Sequence, residues 1–214
     1  MDNEQRSRGR LIMSDFSLDK IKDFTMPSQS VGEWQTYLEF IETYFRNRNI
    51  ESPMIVEIGV GRGKQKKFYE ELLGYNHIGI DFKREKKPDI VGNSRDPATV
   101  DKLKEKLNGR EVNLLFIDDG HEYLEVKTDY ELYSPLAKNI IAIHDILYKQ
   151  WQNTVGKFWN ELIVENREAQ DRIFITLAGY YPSLCHDFCR PSIKRQFGQG
   201  TGLILLEDLD AKYV

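Results

Sequence analysis

Apolar residues recur along this chain in two rhythms that take turns. Between residues 33 and 46 the positions Trp34, Tyr37, Leu38, Ile41 and Phe45 return at steps of three and four, which predicts an amphipathic helix. After a break over residues 47–53, short apolar runs at 54–58, 77–81, 89–91, 112–118, 139–145, 172–177 and 202–207 read as buried strands. Helical spacing fills 64–73, 97–107, 123–133 and 154–168. Such alternation predicts parallel strands joined by right-handed crossovers, in a sheet covered on both faces. Only a loop, 178–200, separates the last two runs, so one strand near the sheet edge is expected to run antiparallel. The expectation is one doubly wound α/β domain over residues 32–214, preceded by a polar extension, 1–31, that is a candidate flexible segment or substrate lid.

Four of the runs stop on an acid: Glu57, Asp81, Asp118 and Asp145. In a parallel α/β sheet the carboxyl ends of the strands line one crevice, where ligands bind. The first acid leads into Gly59-Val60-Gly61-Arg62-Gly63. Glycines let a backbone turn sharply and approach a ligand closely. The dinucleotide fingerprint is G-x-G-x-x-G, whereas the spacing here is G-x-G-x-G with Glu57 two residues ahead of it. A carboxylate there repels a pyrophosphate but favours a sulfonium or an α-amino group. Asp81, at the end of the next strand, is placed to accept hydrogen bonds from ribose hydroxyls. This pattern points to S-adenosylmethionine (SAM). A plain strand-to-helix turn would account for the glycines but not for the flanking acids.

Charge and composition narrow the field. Thirty Lys and Arg against 34 Asp and Glu leave a net charge of −4, without the basic excess of a typical nucleic-acid binder. Two basic clusters, Lys64, Lys66, Lys67 and Lys83, Arg84, Lys86, Lys87, are read as a solvated helix face and loop. No run approaches the roughly 18 apolar residues of a membrane span. No apolar signal region opens the chain, and Met13 offers a second start. Two cysteines cannot form a disulfide framework, so a cytoplasmic setting is expected.

The sequence VEIGVGRG resembles the first motif of class I SAM-dependent methyltransferases, and HIGID the second. The resemblance spans residues 28–207 and implies a Rossmann-like seven-stranded sheet whose last strand is antiparallel. It implies that Gly59, Gly61 and Gly63 pass under the methionine part of SAM, that Asp81 holds the ribose, and that Asn93 and Ser94 edge the adenine. FIDDGHEY followed by a helix and then IIAIHDI resembles the O-methyltransferase branch, with the macrocin and cephamycin-type and the catechol-type enzymes. Related sequences carry Gly-Asp where this chain has Asp119-Gly120. Catechol-type members hold a divalent ion at positions that match Asp118, His144 and Asp145. Histidine in that set suits Mn, Fe or Zn better than Mg. His121 competes with His144 for the role of base, but its position resembles that of the family's histidine beside the cofactor, to which it is assigned.

On this reading Asp118 and Asp145 are metal ligands or orienting groups, and His144 is a ligand or the general base. Asp118 capping the next helix and Asp145 capping a turn are the plainer alternatives. Cys185, His186, Asp187 and Cys189 lack the second cluster of a structural zinc site. Their loop, with Tyr180, Tyr181 and Phe188, is expected to cover the substrate, with residues 26–30 as the opposite lip. The activity expected is O-methylation of a small hydroxylated acceptor, a sugar or natural product, with Mg or Mn as candidate ion. A non-catalytic SAM-binding protein and a nicotinamide-dependent oxidoreductase are the alternatives. No membrane or nucleic-acid partner is expected, and the first helix offers a surface for a homo-oligomer.

Overall fold

The computed structural model describes residues 21, 23–27, 29, 31–147, 154–178 and 200–206. Seven strands, β1 (Met54–Ile58), β2 (Asn76–Asp81), β3 (Ile90–Val91), β4 (Val112–Ile117), β5 (Ala137–Ile143), β6 (Arg172–Leu177) and β7 (Thr201–Leu206), form one sheet. Their order is β3-β2-β1-β4-β5-β7-β6. Strands β1 to β5 pair in parallel, and β7 runs antiparallel to both β5 and β6. The crossovers leave β1 in opposite directions, so a crevice opens at the carboxyl ends of β1 and β4.

Among the described residues five α-helices, α1 (Val31–Asn47), α2 (Lys64–Lys67), α3 (Pro97–Leu107), α4 (Tyr123–Tyr133) and α5 (Val155–Glu165), flank the sheet. Strand residues alternate between its two faces. Val56 and Ile58 of β1 join Leu103, Val126, Phe158 and Trp159 in one core; Ile55 joins Trp34, Tyr37, Ile41, Phe68 and Tyr69 in the other. Each fully buried side chain of this size contributes about 1.5–3 kcal/mol. The apolar stripe of α1 is therefore spent on the second core, packed against the sheet.

The expected helix over 64–73 divides into α2 and a wider π turn, Phe68–Leu72. The widening lets two adjacent large side chains, Phe68 and Tyr69, both reach full burial. Helix α3 starts at the Asp96 cap, whose carboxylate accepts from the Ala98 amide, with Pro97 at its first position. Helix α4 is capped by its own Glu122–Glu125 box, so Asp118 does not cap it. Strand β5 ends at Ile143, two residues before the expected end: the His144 N–H makes the last ladder bond, to the Ile117 carbonyl, and Asp145 then turns into the left-handed region at φ 64°. Among the described residues no helix is long and apolar enough to cross a membrane. The cysteine cluster and the loop aromatics Tyr180, Tyr181 and Phe188 lie outside the described residues.

Candidate active site

The glycine turn is dictated by crowding. Gly59 has φ 87°, and a Cβ there would overlap the Asp118 carbonyl oxygen at the end of β4. Gly61 and Gly63 also have positive φ, 52° and 66°. The turn is tied down by Gly59 N–H donating to Ile80 at 2.8 Å and Gly63 N–H donating to Val60 at 2.7 Å. It forms one wall of a cleft of about 220 Å³ whose floor is Asp118, His121, His144 and Asp145, with Pro27 on the opposite side.

The floor is a cluster of carboxylates around a buried imidazole. His144 Nδ1 lies 3.1 Å from Asp118 Oδ1 and 3.4 Å from Asp145 Oδ1. Its Nε2 lies 3.6 Å from Glu33 Oε1, which accepts from the Thr201 hydroxyl at 2.7 Å. Burial pulls the basicity of His144 down, but Asp118, Asp145 and Glu33 outweigh it and push the ring up to about 9. His121 Nε2 lies 2.7 Å from Asp145 Oδ2, and that contact raises its pKa against partial burial. Asp118 Oδ2 accepts from the Gln29 amide at 2.9 Å and the Gln65 amide at 3.5 Å. Ligand atoms of Asp118, His121 and Asp145 all lie within 4.8 Å of one another. Of the expected ion-binding residues, His144 thus sits behind the two acids, while His121, more than a third exposed, joins them at the surface.

The other expected residues fall at different depths. Asp81 ends β2, nearly buried, and accepts from the Lys83 amide at 2.8 Å. Ser94 is buried and donates to Asp119 Oδ2 at 3.3 Å, whereas Asn93 is exposed and accepts from the Arg95 amide at 3.1 Å. Glu57 does not line the cleft. It is fully buried on the face beneath α1, with Oε2 2.8 Å from His77 Nε2. It is the penultimate residue of β1, where the pleat still directs side chains onto a sheet face.

Several participants escaped the sequence reading. Glu33 closes the back of the site; its spacing with Tyr37 and Ile41 places it on the apolar stripe of α1, a signal that it would be buried. Gln65 carries no motif, and Gln29, within the lip expected over 26–30, carries none that foretells its bond to Asp118. Arg95 gathers Asp119, Glu125 and Asp129 within 3.3–3.4 Å, behind the Asn93–Ser94 turn. Burial pushes Asp129 up to about 6, with Ser94 and Arg95 opposing.

No protein-family model matches this sequence, and no curated protein matches it. Solved structures do share its fold. The MycE methyltransferase of the mycinamycin biosynthetic pathway, in complex with Mg and SAH, superposes with a TM-score of 0.53 at 14% identity, over 82% of this chain and 51% of that one. The O-methyltransferase TomG from Streptomyces achromogenes, in complex with SAM, gives 0.53 at 12% identity, over 92% and 89%. The plantazolicin methyltransferase BpumL gives 0.52 at 14% identity, over 82% and 85%. This chain spans about half the length of MycE and most of the other two. The expected class I methyltransferase fold, with its single reversed strand, is the fold observed.

Proposed function

We propose that this chain is a SAM-dependent methyltransferase that transfers a methyl group to a hydroxyl oxygen of a small acceptor such as a sugar or natural product. One observation carries the reading: at the switch point of a class I methyltransferase fold, a turn of left-handed glycines faces carboxylates at the ends of β4 and β5. The likeness to MycE bound to Mg and SAH, and to TomG bound to SAM, supports the cofactor. Small acceptors in related structures, mycinamycin VI in MycE and a desmethylPZN analog in BpumL, support the acceptor class.

When bound, SAM supplies an electrophilic methyl group on a positively charged sulfur. Gly59, Gly61 and Gly63 let the backbone lie against its methionine portion, and Asp81 accepts from the ribose hydroxyls. Asn93 and Ser94 edge the adenine, and the exposed ring of Phe82, next to Asp81, offers it an apolar face. Pro27 and Gln29 belong to the N-terminal lip of the acceptor pocket.

Asp118, His121 and Asp145 fit a divalent cation: two carboxylates and an imidazole converge, and buried Asp145 Oδ1 makes no hydrogen bond, only the 3.4 Å ion pair with His144. Such an ion, when bound, would lower the pKa of the acceptor hydroxyl and fix its direction of attack. Asp118 orients the acceptor, and His144 is the positioning residue that holds Asp118 and Asp145 together from behind. Titration calorimetry with SAH tests the reading: binding that is lost in Asp81→Ala is expected. Absence of binding to the wild type would overturn it.

A further inference from the structure

We infer that Glu57, His77, Asp89 and Lys66 form a polar bracket that fixes the two ends of the glycine turn, with His77 as its positioning residue. The inference rests on the turn being the cofactor site.

Glu57 lies two residues before Gly59, and Lys66 lies three residues after Gly63. The chain of contacts between them runs outside the turn. Glu57 Oε2 is 2.8 Å from His77 Nε2 on β2. His77 Nδ1 is 3.8 Å from Asp89 Oδ2, just ahead of β3. Asp89 accepts from the Gly79 amide at 2.9 Å and from Lys66 Nζ on α2 at 2.9 Å. Four ionisable groups thus join β1, β2, the approach to β3 and α2 around the turn. A second contact couples bracket and turn directly. A Cβ at Gly79 would overlap the Val60 side chain of the turn and come within 3.1 Å of His77 Cε1, so both pack over the bare face of this glycine.

Burying a charged pair usually stabilises a fold no more than apolar residues of the same volume. Glu57 and His77 are almost wholly buried, and apolar side chains would fill this core at lower cost. What an apolar pair cannot supply is direction. Hydrogen bonds at the bracket's two ends, His77 with Glu57 and Lys66 with Asp89, and the His77–Asp89 ion pair between them set the spacing of β1 and α2 on either side of the turn, and a preorganised turn binds its ligand with less ordering cost.

The bracket also has a pH signature. The groups facing His77 are Glu57 from β1, Asp89, Lys66 behind it, and the stacked ring of Tyr69, whose hydroxyl is 2.9 Å from that of Tyr37 on α1; Glu57 also feels Asp81 and Asp118. Burial opposes protonation of His77, but Asp89 and Glu57 overcome it and raise its pKa. A protonated ring hydrogen-bonds to Glu57 and attracts Asp89 across 3.8 Å as an ion pair. A neutral ring donates to one carboxylate only, and the bracket loosens.

The test is calorimetric SAH binding to the full chain across pH 6–9, for wild type, His77→Gln, Lys66→Met and Lys66→Arg. We expect wild-type affinity to weaken with rising pH relative to His77→Gln. The ligand's own amino group and the cleft histidines titrate in both proteins and cancel in that ratio. At pH 6 His77→Gln should bind about tenfold more weakly than wild type and Lys66→Met about threefold, within the range for residues that act through others. Lys66→Arg should restore binding. Lys66 is a third exposed, so its variants report even if His77→Gln fails to fold. Wild-type binding with both Lys66→Met and His77→Gln within twofold of it overturns the bracket alone. A wild type that does not bind SAH overturns bracket and cofactor site together.

Discussion

His77 and His144 are the same chemical device set at two depths. Each is a buried imidazole held between carboxylates: His77 by Glu57 and Asp89, His144 by Asp118, Asp145 and Glu33. Both have raised pKa values, because nearby carboxylates outweigh burial. Yet His77 sits near the start of β2 under the Tyr69 ring, sealed from the cleft, whereas His144 follows the last residue of β5 and forms part of the cleft floor. Glu57 is inside β1, Asp81 is the last residue of β2, Asp118 follows β4 by one residue, and Asp145 follows β5 by two. Inside a strand the pleat aims a side chain onto one sheet face; at and just beyond the last strand residue the chain leaves the pleat and a side chain can rise into the crevice. A shift of one or two residues along a strand therefore separates a pair buried under α1 from the floor of the cleft.

The sharpest way to break this comparison is to disable one acid at each depth. Asp118→Asn should lower methyl transfer by about 10²–10⁴-fold while leaving SAH affinity within a few-fold, measured by single-turnover transfer of labelled methyl. Equal losses of binding and transfer would place Asp118 with the cofactor instead. Glu57→Ala strands His77 in the core and should destabilise the fold by about 3 kcal/mol, the lower end for breaking a buried pair, because Asp89 remains nearby. Denaturant unfolding reads this, and a change below about 1 kcal/mol would remove the bracket's structural role. Gly59→Ala combines overlap with a left-handed φ and should cost about 1–3 kcal/mol and weaken SAH binding.

The pH dependence of stability distinguishes the bracket's two central groups. His77 has a folded pKa raised above its unfolded value of about 6.5, so its contribution is complete below that pH and fades as pH rises through the folded value. Asp89 has a folded pKa lowered below its unfolded value of about 3.9: burial acts against this, but the His77 ring, the Gly79 amide and Lys66 prevail. Its contribution is complete above that pH and fades on acidification. The difference in melting temperature between wild type and an Asp89→Asn, His77→Gln double variant should therefore be widest between about pH 4 and 6.5. A flat difference from pH 3 to 9 would contradict the assignment.

The smallest expected effect concerns the ion. Mn²⁺ at ten times its Kd should raise stability by about 1.4 kcal/mol, and the gain should vanish in Asp145→Asn and in His121→Ala. A shift that survives both variants would move the ion elsewhere.

Much of the fold was written in hydrophobic period. The bounds of β1, α3, α4 and β6 coincide with the expected ones, because each apolar run ends where a cap, glycine or charged residue interrupts it. The spacing also located Gly59, Asp81, Asp118 and Asp145 near one rim, since all four follow from strand ends. It did not anticipate that Glu57 would turn inward or that His121, rather than His144, would complete the ion-binding group with Asp118 and Asp145. Those outcomes depend on where ladder bonds stop and on how β4 and β5 align. Nor did it show Gln29, Glu33 and Gln65 converging on the site from α1, α2 and the segment before α1, because no local pattern encodes a contact between residues 89 apart, as between Gln29 and Asp118. Local sequence determined which elements form and which residues reach the crevice end of the sheet. Only tertiary packing decided which of those carboxylates pairs with a histidine away from the cleft and which line it, since desolvation and partner choice arise only once distant strands lie side by side.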